Sequence, residues 1–152
     1  MSGDVVEFST RGYQALIQGF KDRGYSAVGY EDIHPDQQHI ILRHDIDMSI
    51  EAAVRTAYIE SDLSVSAYYF VLLRSELYNP YTERNTKSLR NILSLGHQIG
   101  LHLDASMYSS DWSNLESAAE KECGILENII QEKVNFISFH RPHRDLLGNS
   151  RN

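Results

Sequence analysis

A single cysteine, Cys123, stands among 152 residues, so neither an internal disulfide nor a multi-cysteine zinc site is available. Any metal must then be held by histidine and carboxylate. Positive charge is also scarce: 14 Lys+Arg face 21 Asp+Glu, giving a formal charge of −7, and no run of Lys or Arg exceeds two residues. Such a surface repels a phosphate backbone and offers no cluster of cations to release its counterions, which argues against DNA or RNA as partners. No apolar run approaches the roughly 18–20 residues of a membrane span. Residues 1–11 show no basic-then-apolar leader, so no membrane is expected as a partner and the expected compartment is the cytoplasm. Hydrophobic residues make up 41% and charged residues 23%, the balance of one ordinary globular domain over 1–152. A chain of this length buries roughly 70% of its unfolded surface, enough for a core without covalent staples.

Periodicity alternates between two patterns. Ser9 or Thr10 caps a helix with Tyr13, Leu16, Ile17 and Phe20 on one face, ending near Gly24. His39 to His44 is short and apolar in its middle, as in a strand buried on both faces, and it stops at Asp45-Ile46-Asp47. Ser49 then caps a helix carrying Ile50, Ala53, Val54, Ala57 and Tyr58, and Val65 to Leu73 is a second buried strand. Leu89, Ile92 and Leu93 mark a third helix that ends at Gly96, before a strand from Gln98 to Leu103. Ser113 with Glu116 forms a capping box for a long helix with Leu115, Ala118, Ala119, Cys123, Leu126, Ile129 and Ile130 in its stripe. Val134 to Phe139 is the fourth strand. Strands alternating with helices imply parallel pairing through right-handed crossovers, hence an α/β barrel or a doubly wound sheet.

Ionisable residues collect at the carboxyl ends of these strands, the edge that carries active sites in parallel α/β folds. His44, Asp45 and Asp47 follow the first strand, His102 and Asp104 the third, and His140 and Arg141 the fourth; Arg74 and Glu76 follow the second less convincingly. Each has a plainer reading. Asp45 is a general base or a carboxylate held by backbone N–H groups, and Asp47 a metal ligand or a helix cap. His102 is a metal ligand or a core histidine, and His140 a second nitrogen ligand or a structural one. Asp104 is a weaker ligand or an acceptor that orients a ligating imidazole, and Arg141 pairs with Asp45 or is a surface arginine. Alternation along the strand turns His44 towards the helix layer. His34, His39, His97 and His143 have structural or solvated roles, and Cys123 belongs to the core.

Arg43-His44-Asp45-Ile46-Asp47, Gly96-His97-Gln98-Ile99-Gly100-Leu101-His102 and Phe139-His140-Arg141-Pro142 resemble, in order and spacing, the polysaccharide deacetylases with the NodB homology domain. The likeness covers residues 38–145 and is to a divergent branch whose first motif reads Arg-His-Asp-x-Asp. It implies that Asp45 is the general base, that Asp47 and His102 bind the metal, and that Arg141-Pro142 orients the base. The family's two aspartates are adjacent, whereas here Ile46 separates them; four residues after His102, where the family has its second histidine, stands Ser106. His140 is the candidate to replace that ligand.

The resemblance further implies a parallel-strand (β/α) barrel of about seven strands, of which this chain supplies four or five, so an incomplete barrel is expected and a homo-oligomer could complete it. The family's later motifs, with their general-acid histidine, are absent. The implied cofactor is a divalent ion, zinc first, with nickel, cobalt and manganese admissible. The implied reaction is metal-assisted hydrolysis of an N-acetylated sugar, a cytoplasmic nucleotide-linked or lipid-linked precursor of a surface polysaccharide or lipopolysaccharide. The rival is a non-catalytic barrel remnant that acts as a binding or partner subunit. A phosphate-handling enzyme lacks its Gly-rich strand-to-helix loop.

Overall fold

The computed structural model describes residues 9–109 and 111–147. Helix α1 (Thr10–Asp22) starts where Ser9 Oγ accepts a hydrogen bond from the Gly12 N–H. A short parallel pair follows, β1 (Ser26–Ala27) with β2 (His39–Ile40). The main sheet consists of β3 (Arg43–Ile46), β4 (Tyr68–Val71), β5 (Gln98–Asp104) and β6 (Ile137–His140), all parallel and in sequential order. Between them run α2 (Ile50–Asp62), α3 (Glu83–Ser94) and α4 (Trp112–Ile130). Sequential parallel order belongs to a barrel and not to a doubly wound sheet, whose order reverses at a switch point. The four strands form a curled half-barrel.

Three expectations shift. The apolar run from His39 is two strands, because the chain changes partner between residues 40 and 43: the Val28 N–H reaches Ile40 O at 3.0 Å, whereas the Tyr68 N–H reaches Leu42 O at 2.9 Å. Hydrophobicity carries no sign of that exchange. In consequence Asp45 lies inside β3, which is an edge strand among the described residues with Arg43 and Asp45 exposed, and is not buried on both faces. Helix α4 begins at Trp112, so Ser113 is already in its first turn with its hydroxyl on the Asp111 carboxylate, and the capping box does not form.

Alternation sorts the sheet's two faces. Tyr69, Val71, Ile99, Leu101 and Leu103 enter the core with Ile50 and Ala57 of α2, Leu89 and Ile92 of α3 and Leu115 and Leu126 of α4. The registers Asp45↔Phe70, Phe70↔Gly100 and His102↔Ser138 line up the opposite, interior face. Near the amino ends of the strands that face is filled by aromatic rings: Tyr30 and Phe136 lie on Tyr68, with ring centroids 4.6 and 4.7 Å away. Phe70 leaves no room at Gly100, where a Cβ would stand 2.5 Å from its ring and 2.8 Å from Phe136 O.

A charged group sits within the helix layer. Glu60 of α2 is fully buried, and its carboxylate accepts hydrogen bonds from Tyr13 Oη at 2.5 Å, from His44 Nε2 at 2.6 Å and from the Tyr69 hydroxyl. His97, expected to be structural, lies behind this cluster: its Nδ1 accepts from the Ala67 N–H at 3.2 Å and its Nε2–H donates to Ala57 O at 2.9 Å. Burial pushes the Glu60 carboxyl up, but the bonds from His44, Tyr13 and Tyr69 outweigh it and hold the group below the ordinary carboxylate range.

The packing around Glu60 and Gly100 makes three stability predictions. Glu60→Ala leaves the buried Tyr69 hydroxyl and the half-buried Tyr13 and His44 donors without their acceptor and should cost about 3–5 kcal/mol in urea unfolding. Because its folded pKa is depressed, the stabilisation from Glu60 is complete above the unfolded value of about 4.3 and disappears as pH falls through the lower folded value. The parent's urea midpoint should therefore drop on acidification through that window, and Glu60→Gln should remove this component of the slope. Gly100→Ala should cost about 1–3 kcal/mol, because the carbonyl of Phe136 cannot swing aside as a side chain can; an unchanged thermal midpoint would refute the crowding.

Candidate metal centre

The interior face delivers three ligand-type side chains to the carboxyl end of the sheet. Asp47 follows β3, where its N–H reaches back to Asp45 O at 3.1 Å, while Ser49 takes the cap of α2 by accepting from the Ala52 N–H. The cap reading of Asp47 is thereby displaced, and its carboxylate turns to the interior. His102 is buried in β5, and His140 ends β6. His102 Nε2 lies 3.5 Å from Asp47 Oδ1 and 3.2 Å from His140 Nδ1, and His140 Nδ1 lies 3.5 Å from Asp47 Oδ1. Asp47, His102 and His140 are thus the group of potential ligands among the described residues whose donor atoms all fall within 4.8 Å of one another.

These spacings suit a small divalent ion. Tetrahedral ligands at zinc-type bond lengths stand about 3.3–3.4 Å apart, close to the three separations observed. Two imidazoles and one carboxylate are also a borderline donor set of the kind zinc accepts and nickel, cobalt and manganese tolerate. The far nitrogen of His102 is fixed, Nδ1 standing 2.7 Å from Ser138 Oγ, the outer partner that orients a ligating imidazole. Burial pushes the His102 imidazole down, and the Asp45 and Asp47 carboxylates only partly oppose this. A histidine that resists protonation keeps its lone pair for a metal.

The acids and arginines are paired differently from expectation. Arg141 does not reach Asp45; its Nη2 donates to Asp104 Oδ2 at 2.5 Å. Asp45 is instead gripped by Arg43, with Nε on Oδ1 and Nη2 on Oδ2, both at 2.9 Å. The reason is alternation: residues 43 and 45 share a face of β3, whereas Asp104 and His140 are in register, so that Arg141, the next residue, reaches Asp104. Asp45 Oδ2 lies 3.8 Å from His102 Nε2, beside the triad and not within it.

Asp104 is buried and lies outside the group of potential ligands. Its Oδ1 accepts from Ser106 Oγ at 2.6 Å and from the Ser106 N–H at 3.2 Å. Burial pushes this carboxyl up, yet the bonds from Ser106 and Arg141 carry it below the usual range. Ser106 thus turns the position of the absent second histidine into support for a neighbouring acid. Arg74 is engaged by Glu122 at 2.7 Å and by Tyr108, and Glu76 is exposed. His44 faces the helix layer as expected, His34 is exposed, and Cys123 packs against the core. In the sequence Arg43 has no role beyond its place in the first motif and Ser138 has none; period-two spacing from Asp45 marks Arg43, while Ser138 needs the β5–β6 register.

The fold is shared with a known deacetylase. The Streptococcus pyogenes deacetylase PplD in complex with acetate superposes with a TM-score of 0.60 and 17% identity over 82% of this chain. The chain spans 59% of the length of that protein. No family model and no curated protein matches the sequence.

After dialysis against zinc, the protein should retain one equivalent by elemental analysis, and Asp47→Ala and His102→Ala should retain none while circular dichroism stays unchanged. Ser138→Ala should weaken affinity by about 10–100-fold without unfolding the chain. A folded parent that holds no zinc, nickel, cobalt or manganese would refute the site.

Proposed function

We propose that the chain is a metal-dependent hydrolase that removes the acetyl group from an N-acetylated sugar. The observation that carries this reading is the convergence of Asp47, His102 and His140 at 3.2–3.5 Å, with the Arg43-held Asp45 beside them. Its position on the carboxyl edge of a sheet with a deacetylase's fold supports the same reading.

A divalent ion on the triad would polarise the acetamide carbonyl and make a bound water more acidic. The rest of the work belongs to side chains. Asp45 takes the water's proton as its oxygen attacks the carbonyl carbon, and the bidentate bond from Arg43 fixes the orientation of the carboxylate. The C–N bond then breaks, and the departing nitrogen collects a proton that protonated Asp45 can return. Acetate and the free amino sugar are the products. His102, fixed by Ser138, keeps the ligand side of the site rigid, and Arg141 does the same for Asp104 below it.

The substrate proposed is a cytoplasmic precursor sugar of a surface polysaccharide or lipopolysaccharide. The lone Cys123, half-buried against the core, suits a reducing compartment, and among the described residues no helix is long and apolar enough to cross a membrane.

Zinc-loaded protein should release acetate from N-acetylated sugars, chelation should stop it, and re-addition of metal should restore it. Asp45→Asn should lower kcat by about 10²–10⁴-fold while the metal content stays at that of the parent. Metal-loaded, folded protein that releases no acetate from nucleotide-linked, lipid-linked or free N-acetyl sugars would overturn the proposal.

A further inference from the structure

Asp47 has the least support of the triad from regular structure. His102 and His140 stand in β5 and β6, whereas Asp47 falls between the end of β3, an edge strand among the described residues, and the start of α2, with its side chain 48% exposed. Its Oδ1 nevertheless lies 3.5 Å from both imidazoles. A ligand beyond the end of a strand keeps such a position only if its backbone is held from elsewhere.

The hold comes from the loop between β4 and α3. Tyr78 Oη donates to Ile46 O at 2.6 Å, and Ser75 Oγ donates to Asp47 O at 3.3 Å. These oxygens belong to the two peptide groups that flank the Asp47 Cα, and the Asp47 N–H between them is bonded to Asp45 O at 3.1 Å. The backbone is thus fixed on both sides of the ligand, and side-chain rotation is the freedom that remains.

Tyr78 is itself firmly seated. Its Oη also accepts from the Leu72 N–H at 2.9 Å, so one hydroxyl ties the residue after β4 to the last residue of β3. The ring packs against the hydrophobic core. Beyond it the chain is anchored to the first turn of α3, where Asn79 O accepts from Asn85 Nδ2 at 2.9 Å and Pro80 O from Thr86 Oγ1 at 3.2 Å. Burial pushes the phenol up and the charge of Asp47 adds to this, against the opposing bond from Leu72, so the hydroxyl keeps the proton that it donates. A phenylalanine would fill the same space; the hydroxyl alone reaches the backbone of the ligand.

Resting on the reading of Asp47, His102 and His140 as metal ligands, we infer that Tyr78 is a positioning residue for Asp47, with Ser75 as a second support: the loop after β4 holds the Ile46–Asp47 peptide where the carboxylate meets the two imidazoles. The entropy of ordering this segment is then lost on folding and not on metal binding, which tightens the site.

Tyr78→Phe keeps the ring and removes only the hydroxyl. Zinc affinity, read by competition with a chromogenic chelator, should fall by about 10–100-fold, and the visible absorption of the cobalt-loaded protein should change, with circular dichroism unchanged. Ser75→Ala should lower the affinity by about 2–10-fold. Ile129→Val, a core substitution in α4, should lower the thermal midpoint without moving zinc affinity. In metal-free protein, amide exchange over residues 45–49 should be faster in Tyr78→Phe, and that over Gln98–Asp104 unchanged. Parent-like zinc affinity in folded Tyr78→Phe would overturn the inference, as would an equal loss of affinity in Ile129→Val, the mark of a general loss of stability. If Tyr78→Phe does not fold, Ser75→Ala decides, and parent-like affinity there would overturn the inference as well. A parent that takes up no ion removes the ligand reading and this inference with it; a parent that binds zinc no more tightly than Tyr78→Phe removes the inference alone.

Discussion

The buried carboxylate of Glu60 is the constraint on which the arrangement of this half-barrel depends. Strand β3 has only β4 beside it among the described residues, so one ladder of backbone bonds fixes its register and its outer flank contributes nothing. From behind the sheet Glu60 grips His44 of β3, Tyr69 of β4 and Tyr13 of α1 at once. A hydrogen bond to a buried charge is worth about 1.5–3 kcal/mol, a large share of the 5–15 kcal/mol that holds a domain together. With His44 anchored on the helix side, alternation leaves Asp45 no choice of face, and Asp47 follows two residues later at the same edge. The chemistry on the interior of the sheet is therefore positioned by an ion on its exterior.

The site divides into two ionic halves. On β3, Arg43 and Asp45 form a pair that lies partly in solvent. Just past β5 and β6, Ser106 and Arg141 donate hydrogen bonds to Asp104, which is buried. The triad stands between them, drawing one donor from each of three segments. In the family the sequence resembles, two histidines four residues apart serve one metal. Here a second imidazole stands on the neighbouring strand, where the register Asp104↔His140 brings the end of β6 level with the position two residues past His102.

Much of this was legible in the sequence because it depends on local rules. Ser9 and Ser49 cap as their positions foretell, Gly96 takes the left-handed conformation after α3, and period-two alternation sends His44 and Asp45 to opposite faces. Asp47, His102 and His140 could be chosen together once strands were known to run parallel, since a parallel sheet gathers its carboxyl ends. What escaped depends on partners that lie far apart in sequence. Nothing between His39 and Ile46 announces that the strand trades β1 for β4 midway. Glu60 reads as one more polar residue on an amphipathic helix until Tyr13, His44 and Tyr69 surround it. The pairing expected between Arg141 and Asp45 failed for a related reason: the β5–β6 register sets Arg141 beside Asp104.

The sequential order of the strands has a bearing on how the chain reaches this state. The pairings Arg43↔Tyr68, Tyr68↔Gln98 and Leu101↔Ile137 close loops of about 25, 30 and 36 residues, and the chain entropy lost in closing the longest exceeds that of the shortest by only about 0.3 kcal/mol. No pairing requires the chain to wait for a distant partner. Each strand meets an edge made by the one before it, so the sheet can grow in the order in which a ribosome releases it.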